Sequence, residues 1–160
     1  MKEVKIETTL EVYDSMTELP KDVQQLMQSA ISIRKNAYSP YSKFNVGAAI
    51  LLDNGEVVSG SNQENASYPS GLCAERTAIY YAGATYPKAK MLKMALTASS
   101  QNQVTGKPIP PCGACRQAIA EYEIKQDQPI EIYFMGAEGK VVKSESLANL
   151  LPLLFESSVL

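Results

Sequence analysis

The chain has 160 residues, 45% hydrophobic and 20% charged, enough to bury a core without covalent staples and ordinary for a globular protein. Fifteen basic residues against seventeen acidic leave a net charge of −2, which offers no clustered positive charge for nucleic acid or an anionic membrane. An odd count of three cysteines does not make a secreted disulfide framework, and neither the opening "MKEVKIETTL" nor any later run suits a signal peptide or a membrane span. The expectation is one cytoplasmic domain over residues 1–160.

Val4, Ile6, Thr8, Leu10 and Val12 alternate with charged or polar neighbours, which predicts a pairing strand within an N-terminal extension, residues 1–16. After "TELPK", Val23, Leu26, Met27, Ala30 and Ile31 recur on one helical face, and the pattern fades at Ser39-Pro40. Phe44 to Leu52 and Glu56 to Ser61 read as a hairpin. Asn54-Gly55 between them predicts a tight two-residue turn with positive φ angles. A helix is expected from Leu72 to Gly83, a buried strand from Met91, and a second helix from about Cys112 to Tyr122. "PIEIYFMG" is a further strand, followed by a turn into Val141-Val142. The tail from Ser146 to Phe155 reads as an apolar helix broken or bent at Pro152. Strands separated by helices give an α/β fold, a three-layer α-β-α sandwich with a mixed central sheet of about five strands, plus the N-terminal strand.

The chemistry concentrates in "IPPCGACRQ", residues 109–117. Cys112 and Cys115 in Cys-x-x-Cys spacing fit a redox pair, a disulfide or part of a metal site. Cys73, in "GLCAERTAIYYAG", falls at another expected helix start, so three sulfurs from two helix N-termini could converge on one ion. Thiolates suit zinc, and a catalytic zinc keeps three protein ligands and leaves its fourth position to water. With no histidine in the chain, a third sulfur is the natural substitute for an imidazole. Three thiolates carry excess negative charge, which helix N-termini offset. Arg76 and Arg116 are candidates to donate to the sulfurs. Glu75, two residues after Cys73, is placed to take a proton from water beside the metal and return it elsewhere. An acidic residue in a first helical turn is commonly only a partner for the helix dipole. The downstream Pro-Cys-x-x-Cys favours the catalytic reading.

Taken together, "YSPYSKFNVGAA", "NQENASYPSGLCAERTA" and "PCGACRQ" resemble the cytidine deaminases of the short, three-cysteine, homotetrameric type, over roughly Tyr38 to Phe155. The resemblance implies one Zn2+ per chain on Cys73, Cys112 and Cys115, with Glu75 as proton shuttle. It implies that Asn62 and Glu64 hydrogen-bond the ribose, that Phe44 stacks on the pyrimidine, and that Ala74 offers its backbone N–H to the base. Tyr68 and Phe155, the latter in the tail "LLPLLFESS", are implied contacts across subunits. Where the family usually has Ser before Pro-Cys, this chain has Pro110, which keeps its carbonyl and so its capacity to accept from the cytosine amino group. The implied activity is hydrolytic deamination of cytidine and 2′-deoxycytidine in pyrimidine salvage. A blasticidin-type deaminase of a nucleoside antibiotic is the alternative. The absence of an evident basic and aromatic strand-binding surface argues against polynucleotide substrates.

Overall fold

In the computed structural model, residues 1–156 and 160 are described. In chain order they form β1 (Glu11–Tyr13), α1 (Lys21–Arg34), β2 (Phe44–Leu52), β3 (Val57–Ser61), α2 (Ala74–Thr85), β4 (Met91–Ser100), α3 (Gly113–Gln126), β5 (Glu131–Met135) and β6 (Val141–Ser144). The six strands make one mixed sheet in the order β1-β6-β5-β4-β2-β3, with β4 and β5 parallel and every other pair antiparallel. Helix α3 makes the crossover that the parallel pair requires.

Period-two alternation distributes the side chains between two cores. From β2, Ala48, Ile50 and Leu52 join Met94, Leu96, Ile132 and Phe134 beneath α2 and α3, which contribute Ala78, Ile79, Ala82, Ile119 and Ala120. The opposite face, with Ala49, Ala95, Tyr133 and Met135, packs on Val23, Leu26, Met27 and Ala30 of α1. The three layers expected from the sequence are therefore present, with one helix on one face and two on the other.

Four local expectations change. The hairpin loop has three residues rather than two: the Gly55 N–H donates to Leu52 O at 3.0 Å, and the Leu52 N–H to Glu56 O at 2.9 Å. Gly55 alone takes a positive φ, +86°, while Asn54 keeps an ordinary one. The N-terminal alternation yields a strand only at Glu11–Tyr13, because its partner β6 has only four residues to pair with; Val4, Ile6 and Leu10 lie exposed. The apolar tail forms a single 3-10 turn, Leu147–Asn149, rather than a helix. Leu147 and Leu150 are buried, Pro152 and Leu153 are exposed, and Leu154 packs back against the core. Of the tail motif, Ser157 and Ser158 lie outside the described residues. Among the described residues, no helix is long and apolar enough to cross a membrane.

Candidate active site

Three segments line up ahead of α2. Tyr38 donates its N–H to Asn62 O at 3.0 Å, and the Glu64 N–H returns to Tyr38 O at 2.9 Å. Gln63 and Leu72 exchange both backbone hydrogen bonds at 2.9 Å. This ladder delivers Cys73 to the N-cap of α2 in extended backbone, with φ −71° and ψ 156°. Cys112 holds the same position on α3, with φ −67° and ψ 166°. Neither thiol caps its own helix. Both turn towards each other instead.

The Sγ atoms of Cys73 and Cys112 lie 3.9 Å apart, and those of Cys112 and Cys115 3.4 Å apart. All three fall within 4.8 Å of one another and none is in a disulfide. Tetrahedral thiolates at ~2.3 Å from zinc place neighbouring sulfurs ~3.8 Å apart, so the spacing and the soft donor set fit such an ion. The thiols differ in acidity. The hydrogen bond from Cys115, with help from Arg76 and Cys112, holds Cys73 down at about 5. The same bond, together with burial, pushes Cys115 up. Arg76 places Nη2 3.7 Å from the Cys73 sulfur, and its buried Nε has no hydrogen-bond partner among the described residues.

Glu75 is only 5% exposed, in the first turn of α2 beside these sulfurs. Burial pushes its carboxyl up to about 7, against the opposing pull of its backbone hydrogen bond and Arg76. A carboxyl with that balance holds or releases a proton near neutrality, which a dipole-pairing surface glutamate does not.

Glu75 and Cys112 open into a cavity of about 750 Å3, also lined by Phe44, Asn62, Glu64 and Tyr68. Except for Phe155, the sequence-predicted residues thus lie at this cavity or in the first turns of α2 and α3 beside it. Asn62 is already engaged with the chain: Oδ1 accepts from the Val46 N–H at 2.7 Å and Nδ2 donates to Phe44 O at 2.9 Å. That leaves one lone pair and one N–H of the amide for a ligand. Glu64 Oε2 accepts from the N–H groups of Tyr41 and Ser42 at 2.9 and 3.2 Å. Together with the Ser42 side chain, these donors hold its carboxyl below the usual carboxylate range.

Ala74 is fully buried at the start of α2. Phe155 is 62% exposed and stands apart from this chain's cavity; its carbonyl accepts from Gln117 Nε2 at 2.9 Å. Arg116 is oriented differently from the sequence expectation. Its Nε donates to Pro111 O at 2.8 Å and its Nη1 to Leu150 O at 2.7 Å, so the guanidinium holds carbonyls rather than a sulfur. Sequence reasoning also missed Tyr41, whose ring lies 5.9 Å from that of Tyr68, and Thr97, a buried wall residue that accepts from Arg34 Nη1 at 2.5 Å. Tyr41 lies inside the quoted "YSPYSKFNVGAA", which was its available signal. Thr97 reads only as part of a strand.

Comparison with known proteins meets this geometry directly. Residues 20–128 match the family model of the cytidine and deoxycytidylate deaminase zinc-binding region. The chain belongs to the cytidine and deoxycytidylate deaminase family. Within that deaminase family it is 47% identical over 134 residues to the cytidine deaminase of Halalkalibacterium halodurans, covering 84% of this chain and 94% of that protein. The cytidine deaminase of Sporosarcina psychrophila is 37% identical over 134 residues, covering 84% of this chain and 91% of its own length. The crystal structure of cytidine deaminase from Burkholderia pseudomallei superposes with a TM-score of 0.72 at 36% identity, covering 86% of this chain and all of that one. The deaminase fold and the convergence of Cys73, Cys112 and Cys115 thus agree with family membership.

Proposed function

We propose that the chain catalyses the hydrolytic deamination of cytidine and 2′-deoxycytidine to uridine and 2′-deoxyuridine, with release of ammonia. The observation that carries this reading is the buried Glu75 carboxyl beside three converged thiols, at a cavity large enough for a nucleoside. Cys73, Cys112 and Cys115 would hold one zinc per chain. When bound, zinc supplies a water made nucleophilic at neutral pH.

Glu75 takes the proton from that water and passes it to pyrimidine N3 as the oxygen adds to C4. The Glu75 carboxylate then takes the proton of the added C4 hydroxyl and hands it to the amino group, so that the C4–N bond breaks, ammonia leaves and C4=O forms. Arg76 offsets thiolate charge through its contact with Cys73. Phe44 forms an aromatic wall for the base, and the Ala74 N–H serves the base edge. The remaining capacity of Asn62, with Glu64, recognises the ribose hydroxyls. The Glu64 carboxylate also repels a 5′-phosphate, which favours nucleosides over nucleotides.

A homotetramer in the cytoplasm, with Tyr68 and Phe155 reaching between subunits, completes the reading. The 74% exposure of Tyr68 and the 62% exposure of Phe155 suit residues that another copy covers. The single sheet spanning residues 11–144 supports a one-domain organisation. One experiment tests the activity: zinc per chain is measured, and ultraviolet loss is followed with cytidine, 2′-deoxycytidine and blasticidin. Zinc near one per chain and turnover of the first two are expected. Bound zinc without turnover of any of the three overturns the enzyme reading.

A further inference from the structure

Cys112 is the most exposed of the three thiol-bearing residues, and its position on the N-cap of α3 leaves it outside the regular helix. A cysteine in that position aims its sulfur only as well as its own φ and ψ are held. Both of its flanking peptide planes are gripped by one residue. The Arg116 backbone N–H donates to Cys112 O at 2.9 Å, fixing the plane after the cysteine. The Arg116 Nε donates to Pro111 O at 2.8 Å, fixing the plane before it. The far end of the same guanidinium donates to Leu150 O at 2.7 Å. Leu150 is only 8% exposed and belongs to the core cluster that includes Ile119 of α3, so this end of the fork is anchored to the core.

We propose that the Arg116 side chain is a positioning group for the metal, clamping the peptide plane before Cys112 while the ordinary first-turn bond of α3 holds the plane after it, so that the thiol stays aimed at the other two sulfurs. The proposal rests on the reading of Cys73, Cys112 and Cys115 as a metal site. It assigns Arg116 a role distinct from that of Arg76, which meets a sulfur directly. A planar guanidinium can serve two carbonyls lying in different directions, whereas a lysine ammonium at the end of a flexible stem cannot reproduce that fork. Charge alone is therefore insufficient.

The test uses the zinc-loaded full-length protein and its Arg116→Ala and Arg116→Lys variants. Zinc transfer to a coloured chelator gives the affinity and release rate, and the cobalt(II)-loaded forms report thiolate ligation through their sulfur-to-metal absorption. Both variants are expected to hold zinc 10- to 100-fold more weakly, the range seen for groups that orient ligands, with altered cobalt spectra and no rescue by lysine. The zinc-free variants are expected to melt within a few degrees of zinc-free wild type. Wild-type zinc affinity in both variants, or zinc-free variants that are destabilised as much as the loaded ones or fail to fold, overturns the proposal. A wild-type protein that takes up no zinc overturns the metal reading along with it, so the two failures are distinguishable.

Discussion

Gly60 of β3 offers a perturbation that connects packing to chemistry. A Cβ placed there would lie 2.6 Å from Ala78 N and 2.8 Å from Ala74 O, both backbone atoms in α2. Ordinary contact begins at 3.4 Å, so Gly60→Ala requires the start of α2 to retreat by about 0.8 Å. Overpacking of this kind costs about 1–3 kcal/mol. The displaced turn carries Glu75 and follows directly on Cys73, and a misplacement near 1 Å costs up to about 100-fold in rate. We therefore expect Gly60→Ala to lose about 10- to 100-fold in kcat for cytidine, with a urea midpoint lowered to match the packing cost. Gly113→Ala is the control. A Cβ there meets nothing within 4 Å, and the substitution should be silent or slightly stabilising. Wild-type turnover and stability in Gly60→Ala would refute the claim that close contact between α2 and β3 sets the position of Glu75.

Glu75→Gln should keep its zinc and lose about 100- to 10,000-fold in turnover, measured by ultraviolet loss alongside metal analysis. Cys115→Ala should fail to retain metal, and chelator treatment of the wild type should lower its melting temperature, since ligation contributes to folding. Ile119→Ala, at a fully buried position on α3, should cost about 2–5 kcal/mol by denaturant titration. Lys93 Nζ lies 2.7 Å from the Asp22 carboxylate and lowers its pKa from 3.8, so this pair's stabilisation is full above 3.8 and lost as pH falls through the lowered folded value. Asp22 is half exposed, so the effect is small, and Asp22→Asn should narrow the difference between urea midpoints at pH 7 and pH 3. Equal losses in both proteins would count against it.

The elements that alternate or repeat cleanly were legible from residue order. Helix α1 repeats its apolar residues on one face, β2, β4 and β5 are largely apolar and buried, and β3 was legible through the Asn54-Gly55 turn that precedes it. The N-terminal alternation misled beyond Glu11 because a strand needs a partner as long as itself, and the length of β6 lies in a distant part of the sequence. The tail misled because a run of leucines reports burial without reporting period. In the site, Cys73, Glu75, Cys112 and Cys115 could be grouped from spacing and residue type. The orientation of Arg116 could not. Its partners Pro111 O and Leu150 O are backbone carbonyls, which leave no trace in residue identity. The double engagement of Asn62 with Phe44 and Val46 was hidden for the same reason.

The division of the thiols between two helices has a consequence for how the protein matures. Cys112 and Cys115 are local neighbours and can meet an ion as soon as one turn of α3 forms. Cys73 lies 39 residues from Cys112 and joins them only when β4 is laid between β2 and β5. An unfolded or nascent chain therefore offers two sulfurs, and only a chain with correct strand order offers three. Capture of an ion by all three sulfurs would therefore require the completed topology, and the ion would then tie the N-termini of α2 and α3 together in the finished fold.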